Sequence, residues 1–316
     1  MLVFDMSKVN VLYCFDSKFW RMAAVSIGSI MKNRDSGTNV TVYCMVAPHT
    51  RGRRYINRIV RRGGGRLVWR TIHPRQNPFR NHDYSRWSPV IFYRLFAHRI
   101  FKNLDKILYL DSDTIIQTDL TNLYNTDIRD YAMGAIRDMA PIHNPKEKSG
   151  QYVLNFKQKY LKNDLYVNSG VLLLNMNYMR IHGDELLAVK IPLTYPDQDI
   201  LNVAFDGKIL ELPLRYNCVP DMGVDIKFPK SEYLYVKNKI EIAHFYAVKP
   251  YYYHHTPRNS YAIFYHAARY VGFYPDEFIK ADEHHAYQQE HKRHRTQIPF
   301  VRTDNTGQIW FLWMRI

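Results

Sequence analysis

Apolar residues along this chain fall into runs of two alternating kinds. Residues 9–15 (VNVLYCF) form a short, β-branched apolar stretch that predicts a strand, and residues 19–31 carry apolar side chains at helical spacing. A second strand is predicted over residues 40–46 (VTVYCMV). The unit then repeats, with a basic helix over residues 53–62, a stop at Gly63-Gly64-Gly65 and a strand over residues 66–71 (RLVWRT). Two consecutive strand-helix-strand units imply a parallel sheet covered by helices on both faces, since parallel neighbours need crossovers that lie over the sheet.

After a loop rich in Pro and Asn at residues 74–82, helical spacing returns over residues 90–101 (VIFYRLFAHRIF), and residues 106–110 (KILYL) read as a strand. Asp111-Ser112-Asp113 follows directly. Ligands of open parallel sheets bind beyond the carboxyl ends of the strands, so acids at this point are placed for chemistry. Further strands are predicted at residues 133–136, 171–175 and 240–243, and further helices at 178–189 and 198–205. From about Asp282 the chain turns rich in His, Gln, Lys and Arg before an aromatic end, Trp310-Phe311-Leu312-Trp313, and this part reads as an appendage outside the core.

Composition narrows the class. With 316 residues, 46% of them hydrophobic and 15% aromatic, the chain has enough apolar mass for one large α/β domain plus an appendage, which argues against disorder. No stretch is long and apolar enough to span a bilayer, and the first ten residues lack both the basic start and the apolar run of a signal peptide, so a cytoplasmic protein is expected. Cys14, Cys44 and Cys218 show no metal-ligand spacing and read as reduced, buried thiols.

The net charge of +15 changes the picture of the surface, because it is concentrated. Between Ser36 and His82 stand ten arginines (positions 51, 53, 54, 58, 61, 62, 66, 70, 75 and 80) and no acid. Such a stretch suits nucleic acid, anionic lipid headgroups or a phosphorylated acceptor, or is a solvated face whose arginine stems pack on apolar neighbours. Together with the aromatic end, it points to peripheral contact with an anionic membrane surface on the inner face of the plasma membrane.

Four local patterns carry candidate chemistry. Asp111 and Asp113, one residue apart where a strand leaves the sheet, can turn toward one divalent cation, and hard oxygen ligands suit Mn²⁺ or Mg²⁺ bridging a diphosphate. Asn168-Ser169-Gly170 sets a polar corner before an apolar strand, with Asn168 able to bond sugar hydroxyls. In Pro196-Asp197-Gln198-Asp199 the acids suit a helix start, but capping does not account for Gln198. Residues 243–251 place His244 at a strand end, where an imidazole can complete an oxygen and nitrogen shell, and Lys249 five residues on, where it can neutralise a leaving diphosphate.

In that order and at that spacing, YLDSDTI, NSGVLLLN, DQDILN and HF…KP resemble glycosyltransferase family 8, which includes glycogenin and the bacterial lipopolysaccharide hexosyltransferases. Gly134-Ala135-Ile136-Arg137-Asp138 and Arg94 are similar to the family too. The resemblance covers roughly residues 9–251. It implies an α/β fold: a single Rossmann-like nucleotide-sugar-binding domain of GT-A type with a mostly parallel mixed sheet over residues 1–257, the donor half about 1–115 and the acceptor half about 116–257, and a helical or irregular appendage at 258–316.

By the same resemblance, Asp111, Asp113 and His244 hold Mn²⁺ against the UDP diphosphate with Ser112 between the acids, and Tyr13 and Asp16 line the uridine pocket. Arg94, Asp138, Asn168 and Asp197 face the donor hexose, glucose or galactose, and Gln198 lies at the anomeric carbon. The reaction retains anomeric configuration, and the acceptor is a glycan such as lipopolysaccharide core, with no nucleic acid expected. The chain departs from the family in His244-Phe245-Tyr246-Ala247-Val248-Lys249-Pro250-Tyr251, which is shorter than the usual motif and has lost its phosphate-contacting Gly. A rival reading is a haloacid dehalogenase-type phosphatase, with Asp111 as nucleophile, Asp113 as acid/base and Asp221 and Asp225 as its later acids. A second rival, a nucleic-acid-binding module, rests on the arginines alone.

Overall fold

The structure is a computed structural model that describes residues 7–82, 87–143, 145–220, 240–246, 259–273, 298–303 and 309–314. Seven strands form the central sheet: β1 (Ser7–Phe15), β2 (Thr38–Val46), β3 (Arg66–Thr71), β4 (Lys106–Leu110), β6 (Met133–Arg137), β7 (Val167–Asn175) and β8 (Ile209–Glu211), in the order β3-β2-β1-β4-β7-β6-β8. All run parallel except β7, which is antiparallel to both β4 and β6. The strand-helix-strand opening thus does what its pattern predicts.

Alternation along the strands feeds two cores, one on each face of the sheet. On β1, Val9, Val11, Tyr13 and Phe15 join one cluster while Leu12 and Cys14 join the other. The Trp20–Asn33 and Arg53–Arg62 helices cover the first face, and the Pro89–Phe96, Met176–His182 and Pro196–Ala204 segments cover the second. The three cysteines are unpaired and buried, as expected.

Several boundaries differ from the sequence reading. Residues 90–101 are a 3₁₀ run at Pro89–Phe96 followed by one α turn at Ala97–Ile100. The single helix expected at 178–189 is two, Met176–His182 and Glu185–Ala188, split at Gly183-Asp184. Residues 168–170 are not a corner before β7 but lie inside it, where the pairing with β6 jumps from Ala135–Leu172 to Ile136–Asn168 and leaves a bulge. The Lys148–Tyr160 helix had not been anticipated.

Residues 264–273, expected outside the core, contribute to it. The Asn259–Tyr270 helix packs on the Trp20–Asn33 helix, and Phe264, Ala267, Ala268, Val271 and Phe273 belong to the main core. The approach is close: a Cβ on Gly28 would lie 2.0 Å from Val271 Cγ1. Further on, β10 (Ile298–Thr303) and β11 (Ile309–Met314) pair as a two-stranded antiparallel sheet.

A second, two-stranded antiparallel sheet positions the site. β5 (Thr114–Ile116) leaves the end of β4 and pairs with β9 (Ile242–His244), with Thr114 opposite His244. Phe245 N–H donates to Asp113 O (3.0 Å), and Cys218 bridges Ala243 from the other side, donating to Ile242 O (3.0 Å) and accepting from His244 N–H (2.8 Å).

Candidate active site

Where β4 ends, Asp111 N–H donates to Gly170 O on β7 (2.8 Å) and Thr114 N–H donates back to Asp111 O (3.2 Å). This tight turn keeps Asp111 and Asp113 just beyond the carboxyl end of β4, in the middle of the sheet, while β5 carries the chain to β9. There the two carboxylates meet His244, with ligand atoms of all three within 4.8 Å of one another. His244 Nε2 lies 3.2 Å from Asp113 Oδ1 and 3.6 Å from Asp111 Oδ2, is buried, and has no hydrogen-bond partner. Its Nδ1 is 2.8 Å from Asn217 Oδ1. The ring passes so close to β7 that a Cβ on Gly170 would stand 2.1 Å from His244 Cε1, so only glycine fits there.

Arg94 links this cluster to the next pair of acids. It is 5% exposed, contacts Asp111 Oδ1 at 3.0 Å and Asp197 Oδ2 at 3.3 Å, donates to Ser169 O at 2.8 Å, and lies 4.1 Å from the centre of the Tyr109 ring. Burial opposes its charge, but Asp111 and Asp197 outweigh that effect and hold the guanidinium protonated. Tyr109 O–H donates to Asp111 Oδ1 (2.5 Å) and Ser169 O–H to Asp197 Oδ2 (2.9 Å). Burial pushes the Asp197 carboxyl up, with Arg94 pulling the other way.

Gln198 sits at the middle of a chain of amides. Its Oε1 accepts from Asn168 Nδ2 (3.2 Å) and Ser169 N–H (3.0 Å), and its Nε2 donates to Asp138 Oδ2 (2.9 Å). Asn168 Oδ1 accepts from Gly170 N–H (3.0 Å) and from Asn217 Nδ2 (2.9 Å). Asp138 is pushed above the usual carboxylate range by burial, against the pull of Ala140 N–H and Gln198. Asp199, the other acid of the helix start, is absorbed by structure: it accepts from Tyr152 and Tyr166 hydroxyls and from the Thr194 and Tyr195 amides.

Most residues singled out from sequence therefore converge: Asp111, Asp113, His244, Arg94, Asp138, Asn168, Asp197 and Gln198 form one connected network. Ser112 is buried between its two acids. Asp16 follows β1, where it accepts from Lys18 N–H (2.8 Å). Tyr13 is a correction. It is fully buried, with its hydroxyl 2.8 Å from Ser26 Oγ and Ser26 Oγ 3.0 Å from Thr114 Oγ1, because its position on β1 points it into the core and not toward a pocket. Lys249 and Ala247 lie outside the described residues. The sequence reading missed Asn217, Ser169 and Tyr109.

The fold is shared with solved glycosyltransferases. It superposes on the bifunctional glycosyltransferase WbbM with a TM-score of 0.72 at 21% identity, covering 89% of this chain and 53% of that one. On the galactosyltransferase LgtC, solved with donor and acceptor sugar analogs, the TM-score is 0.67 at 22% identity, covering 87% of this chain and all of the other. In sequence the chain is 27% identical to a lipopolysaccharide 1,2-glucosyltransferase of Escherichia coli over 237 residues, 71% of this chain and 66% of that one. It is 29% identical to glucoside xylosyltransferase 1 of Danio rerio over 180 residues, spanning 48% of this chain and 42% of that one.

These likenesses define the fold, an α/β fold of GT-A type. The sequence profile of Glycosyl transferase family 8 matches residues 10–254, and the chain belongs to that family. Family membership overturns the phosphatase reading of Asp111-Ser112-Asp113.

Proposed function

We propose that the protein moves a hexose, glucose or galactose, from a UDP-sugar to a glycan acceptor with retention of configuration, using Mn²⁺ or Mg²⁺ held by Asp111, Asp113 and His244. The observation that carries this reading is His244 Nε2, buried without a hydrogen-bond partner and facing carboxylate oxygens at 3.2 and 3.6 Å. Two carboxylates and an imidazole are a donor set that suits these cations. Such a cation, when bound, neutralises the diphosphate of the leaving group. Ser112 and Asp16 belong with the nucleotide, and Lys249 is assigned to the leaving diphosphate by its place in the family motif.

Arg94, Asp138, Asn168 and Asp197 would hold the hexose, with Gln198 at the anomeric face. The Gln198 carboxamide carries no charge and its oxygen already has two donors, which makes it a poor nucleophile. Front-side transfer is therefore favoured: the acceptor oxygen bonds to the anomeric carbon as the sugar–phosphate bond breaks on the same face, and the acceptor's proton passes to the departing phosphate oxygen. Donor binding is assigned to residues 1–115 and acceptor binding to the part that follows.

Lipopolysaccharide core as acceptor is supported by the Escherichia coli relative and by a cationic edge. Arg51, Arg54, Arg58, Arg61, Arg62, Arg66, Arg70, Arg75 and Arg80 are all exposed. Among the described residues the arginine ion pairs belong elsewhere, to Arg94, Arg99, Arg129, Arg137, Arg180 and Arg215. An edge of this kind fits a cytoplasmic enzyme resting on anionic headgroups. No described helix is long and apolar enough to cross a membrane.

The test is UDP release from a panel of UDP-sugars with and without Mn²⁺. UDP-glucose or UDP-galactose should be turned over, with loss of activity in EDTA that Mn²⁺ restores. Full turnover in EDTA would overturn the metal assignment, and turnover of neither sugar nucleotide would overturn the donor.

A further inference from the structure

We infer that Asn217 is a positioning residue, which fixes the nitrogen of His244 that carries the proton and joins the cation cluster to Gln198 through a chain of amides with one polarity. The inference rests on the cation reading above. Its anchor is two backbone N–H groups, which can only donate.

Gly170 N–H meets Asn168 at 3.0 Å, so the atom it meets is the oxygen Oδ1, and Ser169 N–H likewise meets Gln198 Oε1 at 3.0 Å. Asn168 then turns Nδ2 toward Gln198 Oε1 (3.2 Å). Asn217 faces the same Asn168 Oδ1 at 2.9 Å and must present its own Nδ2. What remains of Asn217 is an oxygen, 2.8 Å from His244 Nδ1, so that nitrogen must carry hydrogen. An imidazole that ligates a cation is neutral and has one N–H, so with a cation held its lone pair would lie on Nε2, toward Asp111 and Asp113. At the other end of the chain Gln198 Nε2 is left to donate to Asp138.

Turning any one amide around sets oxygen against oxygen or N–H against N–H and leaves buried groups unpaired. Asn217 is held in place by backbone, since Cys218 beside it bridges Ala243 next to His244. Two backbone amides of the β7 bulge thus dictate, through a chain of five side chains, both the ligand tautomer and the orientation of the carboxamide at the anomeric face.

The experiment measures Mn²⁺ binding to the full chain without nucleotide, by electron paramagnetic resonance, for the wild type, Asn217→Leu, Asn217→Asp and Asp113→Asn. Leucine leaves the Nδ1 proton without an acceptor, and Mn²⁺ affinity should fall about 10- to 100-fold, the usual cost of losing an outer-shell partner. Aspartate is nearly isosteric and still accepts that proton, so Mn²⁺ binding should be kept. It has no N–H for Asn168, so kcat with the sugar nucleotide should fall while KM stays near wild type. If Asn217→Leu binds Mn²⁺ like the wild type while Asp113→Asn does not, the cation site stands and the inference is overturned. Loss of Mn²⁺ binding in Asn217→Asp equal to that in Asn217→Leu would also overturn it. Wild-type binding by Asp113→Asn would remove the cation reading itself, and this inference with it.

Discussion

Two regions of this molecule carry strong charge and treat it in opposite ways. At the carboxyl end of β4 and the amino end of β7 every charged or amide group described has fixed partners: Arg94 spans two acids, and Gln198 has three bonds. Along β3 and the Arg53–Arg62 helix, six arginines face solvent. On the helix, Ile56 and Val60 are buried while Arg54, Arg58, Arg61 and Arg62 occupy the opposite side. Charge with buried partners specifies geometry, and a substitution there should be felt at the site. Charge exposed to solvent supplies a field, and there the sum matters more than any member.

The largest effect that would sharpen this contrast is at Gln198. Replacing it by Ala should lower kcat by about 10²-fold or more, in the range seen when one oriented polar group is lost from an active site, while UDP affinity measured by calorimetry stays near wild type. Equal losses in both would make Gln198 a binding residue only. Next is Gly170→Ala, whose Cβ meets the His244 ring. It should cost about 1–3 kcal/mol in urea unfolding, typical of overpacking, and weaken Mn²⁺ binding as well. An unchanged Mn²⁺ isotherm would show that the ring has room to move.

A smaller effect is expected in the pH dependence of Asp138. Its carboxyl is raised by burial, so folding favours the protonated form. Its stabilising contribution is full below the ordinary carboxylate pKa of about 4 and is lost as pH rises through the folded value. The stability advantage of the wild type over Asp138→Asn, read from urea midpoints, should therefore shrink as pH rises from acid to neutral. A constant gap would mean that burial does not burden the charge. Smallest in stability is the arginine edge. Joint replacement of Arg54, Arg58, Arg61 and Arg62 by Gln should change unfolding by no more than about 0.5 kcal/mol per site, as for ordinary surface positions. Sedimentation with anionic vesicles at low salt should be lost. Retained sedimentation would break the comparison, and destabilisation would show that these arginines have structural partners after all.

Much of the site was legible because its residues sit at element ends, where polar groups interrupt apolar runs: Asp111 after KILYL, Gln198 in a helix start, His244 closing β9. What was not legible depends on pairing. A wholly apolar strand reads alike in either direction, so the reversal of β7 was invisible, and with it the bulge that puts Asn168, Ser169 and Gly170 inside a strand. Tyr13 failed for a related reason: its alternation with Leu12 and Cys14 assigns it to one face, but which face holds the pocket is decided by topology. Asn217 had no signal in LRYNCV, since its importance comes from a bridge to a segment distant in sequence. The Asn259–Tyr270 helix was readable and was passed over. Phe264, Ala267, Ala268 and Val271 have the i, i+3, i+4, i+7 spacing of a core-facing helix.

The pairing of β5 with β9 has a consequence for folding. Asp113 and His244 lie far apart in the chain, so their meeting closes a long loop, the kind of contact that forms slowly and gains most from a clip. A cation shared between them would act on the folding equilibrium as a ligand of the native state alone. At one hundred times its dissociation constant it would add about 2.7 kcal/mol. The supply of metal in the cell would then set how often the β9 segment opens, and so how long the enzyme survives proteolysis.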